Sequence, residues 1–215
     1  MLMPAVTTEG LILKRKNFGE ADRVLTVLTD RYGKISVIAK GVRRITSRRA
    51  GNVEVLNRVK LHLFKAKSYN LSEAESLDTF AKLKENLTLS TTAFHIIELT
   101  DRLTAEEQKN PQLYELVVSI LRILEKNPRQ IFVRAFEVKI LSLLGFWSID
   151  AVRDLTPQLK ALLEQLEYYS WQQIEELKLN EEQAIALERI LRYYLERTLE
   201  SELKSSKVLR RLKNG

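Results

Sequence analysis

The chain of 215 residues contains no cysteine, only two histidines, two methionines and two tryptophans, and just four prolines and seven glycines. Without cysteine there is no disulfide, no thiol nucleophile and no thiolate for a metal. A structural zinc site takes about four nitrogen or sulfur ligands, and the two histidines, His62 and His95, stand alone in a candidate strand and a candidate helix. No metal site and no cofactor are expected. No glycine-rich phosphate loop occurs, and no apolar run approaches a membrane span. The start, Met1-Leu-Met-Pro4, lacks the basic region and apolar core of a signal peptide. A cytoplasmic protein with no membrane contact is expected.

What is present is positive charge, unevenly placed. The net charge is +7, yet residues 1–70 hold 15 Lys and Arg against five acids, leaving 20 bases and 23 acids in the remainder. A basic head on a near-neutral body assigns the polyanion to one part of the chain and another task to the rest.

The two parts also differ in periodicity. Five of the seven glycines lie at or before Gly51, in a region that reads as short strands. Thr7 to Lys16 is one, with Gly10 as its expected bulge; Arg23 to Thr29, Gly33 to Lys40, Asn52 to Leu56 and Asn57 to Ala66 follow. Tyr69 to Asp78 reads as transitional. Five strands in so short a span suggest a small closed barrel of OB-fold or SH3-like type.

From Thr79 the period turns helical. One long amphipathic helix is expected to about Glu107, with Phe80, Leu83, Leu87, Phe94, Ile97 and Leu99 on its apolar face. Asn110-Pro111 opens a second helix. Asn127-Pro128 is expected to cap a third, running to Leu144, which is apolar almost all round and therefore central. Gly145 is its expected C-cap. Pro157 to Tyr169, Ser170 to Leu177 and Glu181 to Leu199 are further helices, and Ser205 to Leu212 is a short basic end. The fold class is α+β: a small β-barrel over 1–78 followed by an all-α domain over 79–215.

Nothing assembles an active site. Glu106-Glu107, Glu175-Glu176 and Glu181-Glu182 are sequence neighbours on charged helix faces, and the Tyr168-Tyr169 and Tyr193-Tyr194 pairs read as core or core edge. A non-catalytic protein is expected. The cations carry the functional reading: Lys14, Arg15, Lys16, Lys34, Lys40, Arg43, Arg44, Arg48, Arg49, Lys60 and Lys65 are dense and alternate with core positions, as in a barrel with one wet basic face. Few aromatics accompany them (Phe18, Tyr32, Phe64, Tyr69), so binding led by phosphate contacts is expected.

Several segments together resemble the RecO family of bacterial recombination mediators, over nearly the whole chain. They are Glu9-Gly-Leu-Ile-Leu13, Phe18-Gly-Glu-Ala-Asp-Arg23, Leu28-Thr-Asp-Arg-Tyr-Gly-Lys34 and Ala39-Lys-Gly-Val-Arg-Arg44 with Ser47. Arg134-Ala-Phe-Glu137, Leu143-Leu-Gly-Phe146 and Leu203-Lys-Ser205 follow in order. The resemblance implies an N-terminal OB-fold and a helical domain. It implies binding of single- and double-stranded DNA, annealing of complementary strands, and help to RecA at single strands covered by single-strand-binding protein. It also implies RecR and the acidic C-terminal tail of single-strand-binding protein as partners. Many members carry a four-cysteine zinc module after the Leu-Gly-aromatic segment; here Trp147 to Leu155 has none.

For an acidic tail, the start of the third helix offers Arg122, Lys126 and Arg129 beside Ile131, Phe132 and Phe136, an apolar slot with cations at its mouth. The rival reading of the whole chain is an RNA-binding or ribosome-associated OB module; a third is a helical scaffold whose basic head contacts acidic proteins.

Overall fold

The computed structural model describes residues 5–152, 155–200 and 212. Five strands come first: β1 (Ala5–Phe18), β2 (Asp22–Thr29), β3 (Gly33–Ala39), β4 (Arg58–Lys65) and β5 (Tyr69–Asp78). They close in the order β1-β2-β3-β5-β4, antiparallel except for a short parallel seam of β3 on β5 at Val37↔Tyr69 and Ile38↔Asn70. This is the five-stranded Greek-key closure of an OB-fold.

The long β1 makes closure possible. Its first half, Ala5 to Leu11, pairs with β4, and its second half, Gly10 to Phe18, pairs with β2. Gly10 stands where the two ladders overlap, and a Cβ there would lie 2.5 Å from Val27 Cγ1. Gly10 is therefore a close-approach position and not a bulge; the register slips between Ile12 and Lys14 instead. Inward residues alternate as a half-buried strand requires, with Ile35, Val37 and Ala39 all at most 1% exposed.

The strand expected at Asn52 to Leu56 is a run of turns, and the segment read as transitional is β5. The segment between β3 and β4 still serves the barrel, because Val42 and Val53 are fully buried in its interior, while Leu56 is buried against the helical residues.

The helices are α1 (Ala81–Glu85), α2 (Leu87–Leu103), α3 (Pro111–Lys126), α4 (Gln130–Leu143), α5 (Pro157–Tyr168), α6 (Trp171–Glu176) and α7 (Glu181–Leu199). The single long helix expected from Thr79 to Glu107 is broken. Asn86 is extended and its side chain accepts a hydrogen bond from Leu89 N, the signature of an N-cap, so α2 begins there. Leu87 and Phe94 consequently face solvent, and α2 ends at Leu103, leaving Glu106 and Glu107 outside any helix.

Asn110 caps α3 as expected, but Asn127 is the C-cap of that helix and Arg129 stands at the N-cap of α4. Helix α4 is central, packed against α2, α3, α5, α6 and α7. It ends in a Schellman arrangement: Gly145, at φ 76°, donates to Ser142 O, and Phe146 N donates to Leu141 O at 2.8 Å. Leu187, Leu191 and Leu195 of α7 are buried, whereas Tyr168 and Tyr193 are exposed, so only one tyrosine of each pair packs inward. The basic end expected from Ser205 lies outside the described residues as far as Arg211, as do Met1 to Pro4 and Leu203 to Ser205.

Barrel and helices share a core. Leu11, Leu13, Leu28 and Leu56 pack with the helical residues rather than with the barrel interior. Ion pairs reinforce the seam: Arg58 binds Glu9 and Asp78, and Arg122 of α3 reaches the same Asp78 oxygen at 2.9 Å. Burial pushes the Asp78 carboxyl up, but the hydrogen bonds from Arg58 and Arg122 outweigh it and hold the group below its ordinary value.

Candidate nucleic-acid interface

The loop between β3 and β4 and the tip of the β1–β2 hairpin meet at one end of the barrel. Arg43 N donates to Ala21 O at 2.9 Å, Gly41 N donates to an Asp22 carboxylate oxygen at 2.7 Å, and Arg43 Nη1 reaches Gly19 O at 3.3 Å. Successive turns carry the loop onward, with Arg44 N bonded to Gly41 O and Ser47 N to Arg44 O. Between these supports lies an open depression of about 550 Å³, lined by Lys40, Gly41, Arg44, Thr46, Ser47 and Arg48 together with Asp22 and Arg49. The Ser47 hydroxyl oxygen is buried there and has no hydrogen-bond partner among the described residues.

Of the eleven cations expected to meet a polyanion, Lys40, Arg43, Arg44 and Arg48 are exposed on this end, and Lys16 is exposed on β1 two residues before its tip. Phe18, more than half exposed, ends the same strand. The other aromatics considered are less available: Tyr32 leans on Tyr69 with ring centroids 6.0 Å apart, and Tyr69 is buried.

The remaining cations are placed elsewhere or are committed to the protein. Lys34 is the clearest correction. Its side chain is 10% exposed and donates to Asp101 O, Asp101 Oδ1 and Thr104 O at 2.6, 3.3 and 2.7 Å. Strand alternation pointed Lys34 outward, and it does point out of the barrel, but α2 and the segment after it cover that outer face. Arg49 is likewise a structural residue, donating to Leu71 O, Ser72 O and Lys40 O and so tying the loop to β5.

Lys14 pairs with Asp101. Arg15 pairs with Glu54, which also takes Arg23. Lys60 sits in register between Glu9 and Glu75. Lys65 donates to the Tyr69 hydroxyl and to Glu107, and these bonds raise its pKa. Of the eleven, Lys40, Arg43, Arg44 and Arg48 are therefore the ones gathered at one end of the barrel.

The slot expected at the start of α4 is filled. Phe132 is 1% exposed and meets Trp171 edge-on at 6.3 Å. Arg129 donates to Glu175 O and Leu177 O, closing the C-terminus of α6, where free carbonyls attract a cation. Arg122 is engaged at the seam with the barrel, and of that set Lys126 alone stands exposed with no such engagement among the described residues.

Charge pattern also gave no hint of a buried polar cluster in the helical domain. His95 Nε2 lies 2.7 Å from Glu137 Oε1, and Arg134 Nη1 lies 2.7 Å from the other carboxylate oxygen. Burial alone pushes the Glu137 carboxyl up, but the Arg134 charge and the His95 hydrogen bond hold it below the ordinary range. His95, which stands alone in its helix by sequence, thus has a carboxylate partner 42 residues away.

Where a cysteine module was absent, Trp147 packs on Tyr194 at 4.9 Å and donates to Glu167 at 3.0 Å, and a single 3₁₀ turn spans Ile149–Ala151. Among the described residues no three His, Cys, Asp or Glu side chains gather as a metal site, and no helix is long and apolar enough to cross a membrane.

An OB-fold barrel fused through a shared core to a helical domain, with cations collected at one barrel end, is the class that fold and site define. Recombination protein O supplies the match within it: its N-terminal family model covers residues 3–80 and its C-terminal one covers 84–147 and 150–207. The chain belongs to the RecO family. A protein of Pelotomaculum thermopropionicum named DNA repair protein RecO is 32% identical over 145 residues, 67% of this chain and 57% of that protein. Proteins of the same name from Caldicellulosiruptor bescii and Listeria monocytogenes are 34% and 30% identical, over 67% and 65% of this chain and 60% and 55% of their own. The matches thus span less than two thirds of these relatives' length. The break in the C-terminal match, after 147, falls beside the 3₁₀ turn.

Proposed function

We propose that the protein is a non-catalytic, cytoplasmic, nucleoid-associated DNA-repair mediator that binds single- and double-stranded DNA through the basic end of its barrel and anneals complementary strands. The observation that carries this reading is the set Lys40, Arg44 and Arg48 around one open depression, with Arg43 exposed next to them in sequence, in a chain whose relatives are named for DNA repair. Two strands repel through their phosphates; cations held at one end of a rigid barrel reduce that repulsion and favour pairing. The reading extends to assistance in loading RecA on strands covered by single-strand-binding protein, with RecR and the acidic tail of single-strand-binding protein as the helical domain's partners. The barrel over 1–78 serves DNA and the helices over 79–215 serve these partners.

The test is annealing of complementary DNA oligonucleotides followed by energy transfer between end labels. The protein should accelerate it, and the triple variant Arg43→Ala, Arg44→Ala, Arg48→Ala should lose the acceleration on unrelated sequences alike. Affinity for a single strand should fall by about 0.7 log unit per log unit of salt for each phosphate contacted. No annealing by the unaltered protein, or full annealing by the triple variant, would remove the reading. A pull-down with single-strand-binding protein, with and without its acidic tail, tests the partner.

A further inference from the structure

Ile45 is fully exposed, at 105% of the reference value for its side chain, in the middle of the basic loop. Its neighbours Arg44 and Thr46 line the depression, and Ile45 does not. The isoleucine is therefore bare to solvent outside the depression, between two residues that line it. Large aliphatic side chains of this chain are otherwise mostly buried, and a bare one among Arg43, Arg44 and Arg48 is surrounded by charge that repels other cationic surfaces.

The loop that carries it is held at both feet. Arg49 ties one foot to three carbonyl groups, and Gly41 and Arg43 fasten the other to Asp22 and Ala21. Ile45 falls inside the turn closed by Ser47 N on Arg44 O at 2.9 Å. A β-branched side chain is stiff at χ1, so this tip is pre-organised and loses little freedom when it meets a ligand.

We infer that Ile45 is an apolar wedge that enters between adjacent bases of a DNA strand while Lys40, Arg44 and Arg48 hold the neighbouring phosphate in the depression. The inference rests on the DNA-binding reading above and adds a role for one residue to it. A nucleotide presents a charged group and a flat apolar face a few ångströms apart, which is the pairing this loop offers. Aliphatic side chains do separate base steps when cations fix the backbone beside them. An unstacked strand presents its base edges to a second strand, so the wedge would prepare a single strand for pairing.

The experiment uses the full chain and a single-stranded oligoadenylate with one 2-aminopurine, whose emission rises when its neighbours unstack. At saturating protein the emission should rise, and Ile45→Ala should remove most of that rise while affinity falls by no more than about threefold. Ile45→Phe should restore it. Since the side chain is fully exposed, circular dichroism melting should be unchanged in both variants. An Ile45→Ala protein that gives the full rise at saturation overturns the wedge and leaves DNA binding standing. Failure of the unaltered protein to bind the oligonucleotide overturns both readings. Ile45-dependent binding to poly-glutamate, with no emission change on DNA, overturns the wedge in favour of an acidic polypeptide.

Discussion

The Lys34 ammonium lies 2.7 Å from the carbonyl oxygen of Thr104, with Asp101 on its other side, so a barrel lysine completes the C-terminal end of α2. The carbonyls at a helix C-terminus lack intrahelical donors and carry partial negative charge. Replacing Lys34 with Met should cost about 2 kcal/mol, since it leaves buried acceptors without a donor. The chevron or melting midpoint should shift accordingly, while affinity for single-stranded DNA stays within twofold. A variant as stable as the parent but weaker on DNA would return Lys34 to the interface.

Arg49 and Arg44 are five residues apart in sequence and should behave oppositely. Arg49→Ala removes three hydrogen bonds to main-chain carbonyls and should lower the melting temperature. Arg49→Lys should rescue it only in part, because a lysine lacks the planar fork. Arg44→Ala should leave the melting temperature unmoved and weaken DNA binding with a shallower salt slope. Thermal melts and salt titrations of the three variants decide the matter.

Glu137 predicts an acid limb in the stability curve. Its folded pKa lies below the ordinary carboxylate value, so the folded state binds its proton less readily than the unfolded chain. The stabilisation is fully present above the unfolded value of about 4.3 and is lost as pH falls through the folded one. Glu137→Gln should cost about 3 kcal/mol at pH 7, by leaving Arg134 and His95 beside a neutral amide. The difference from the parent should shrink as pH falls through that window; a difference independent of pH between 3 and 7 would contradict it.

Metal removal should do nothing. With no cysteine in the chain and His62 in a strand bonded to Thr7, a chelator should leave the melting temperature where it was, and elemental analysis should find no stoichiometric zinc. A chelator-induced fall would point to carboxylate ligands outside the described residues.

Local pattern carried the helices well where each had its own cap and apolar stripe, as in α3 and α7, and the charge split assigned the excess of cations to residues 1–70 without saying which of them lie together. It failed where a partner from far along the chain decides the outcome. Strand β5 hides because its outward positions, Ser72, Glu73 and Glu75, are polar, and two register slips against β4 break its alternation. Val53 and Leu56 mimic a strand because turns also bury apolar side chains, Val53 inside the barrel and Leu56 against the helices. Lys34 and Phe132 were legible as a surface cation and a slot residue only while the segments that cover them, 101–104 and Trp171, were unplaced. Nothing local distinguished Arg49, which folds back on its own loop, from its exposed neighbour Arg48.

Phe80 joins barrel to helices, and its backbone is left-handed, at φ 49°, in a residue that is not glycine. Such a conformation costs about 1–2 kcal/mol and persists only when the surroundings insist on it; here the ring is 2% exposed in the common core with Leu11, Leu28 and Leu83. The covalent joint is thus a weld. The molecule should tumble in solution as one particle with a single rotational correlation time, and a protease should find no cleavable tether near residue 80. On the proposed function, a strand gripped at the basic end is held at a fixed distance and angle from a partner on the helices, as by a ruler.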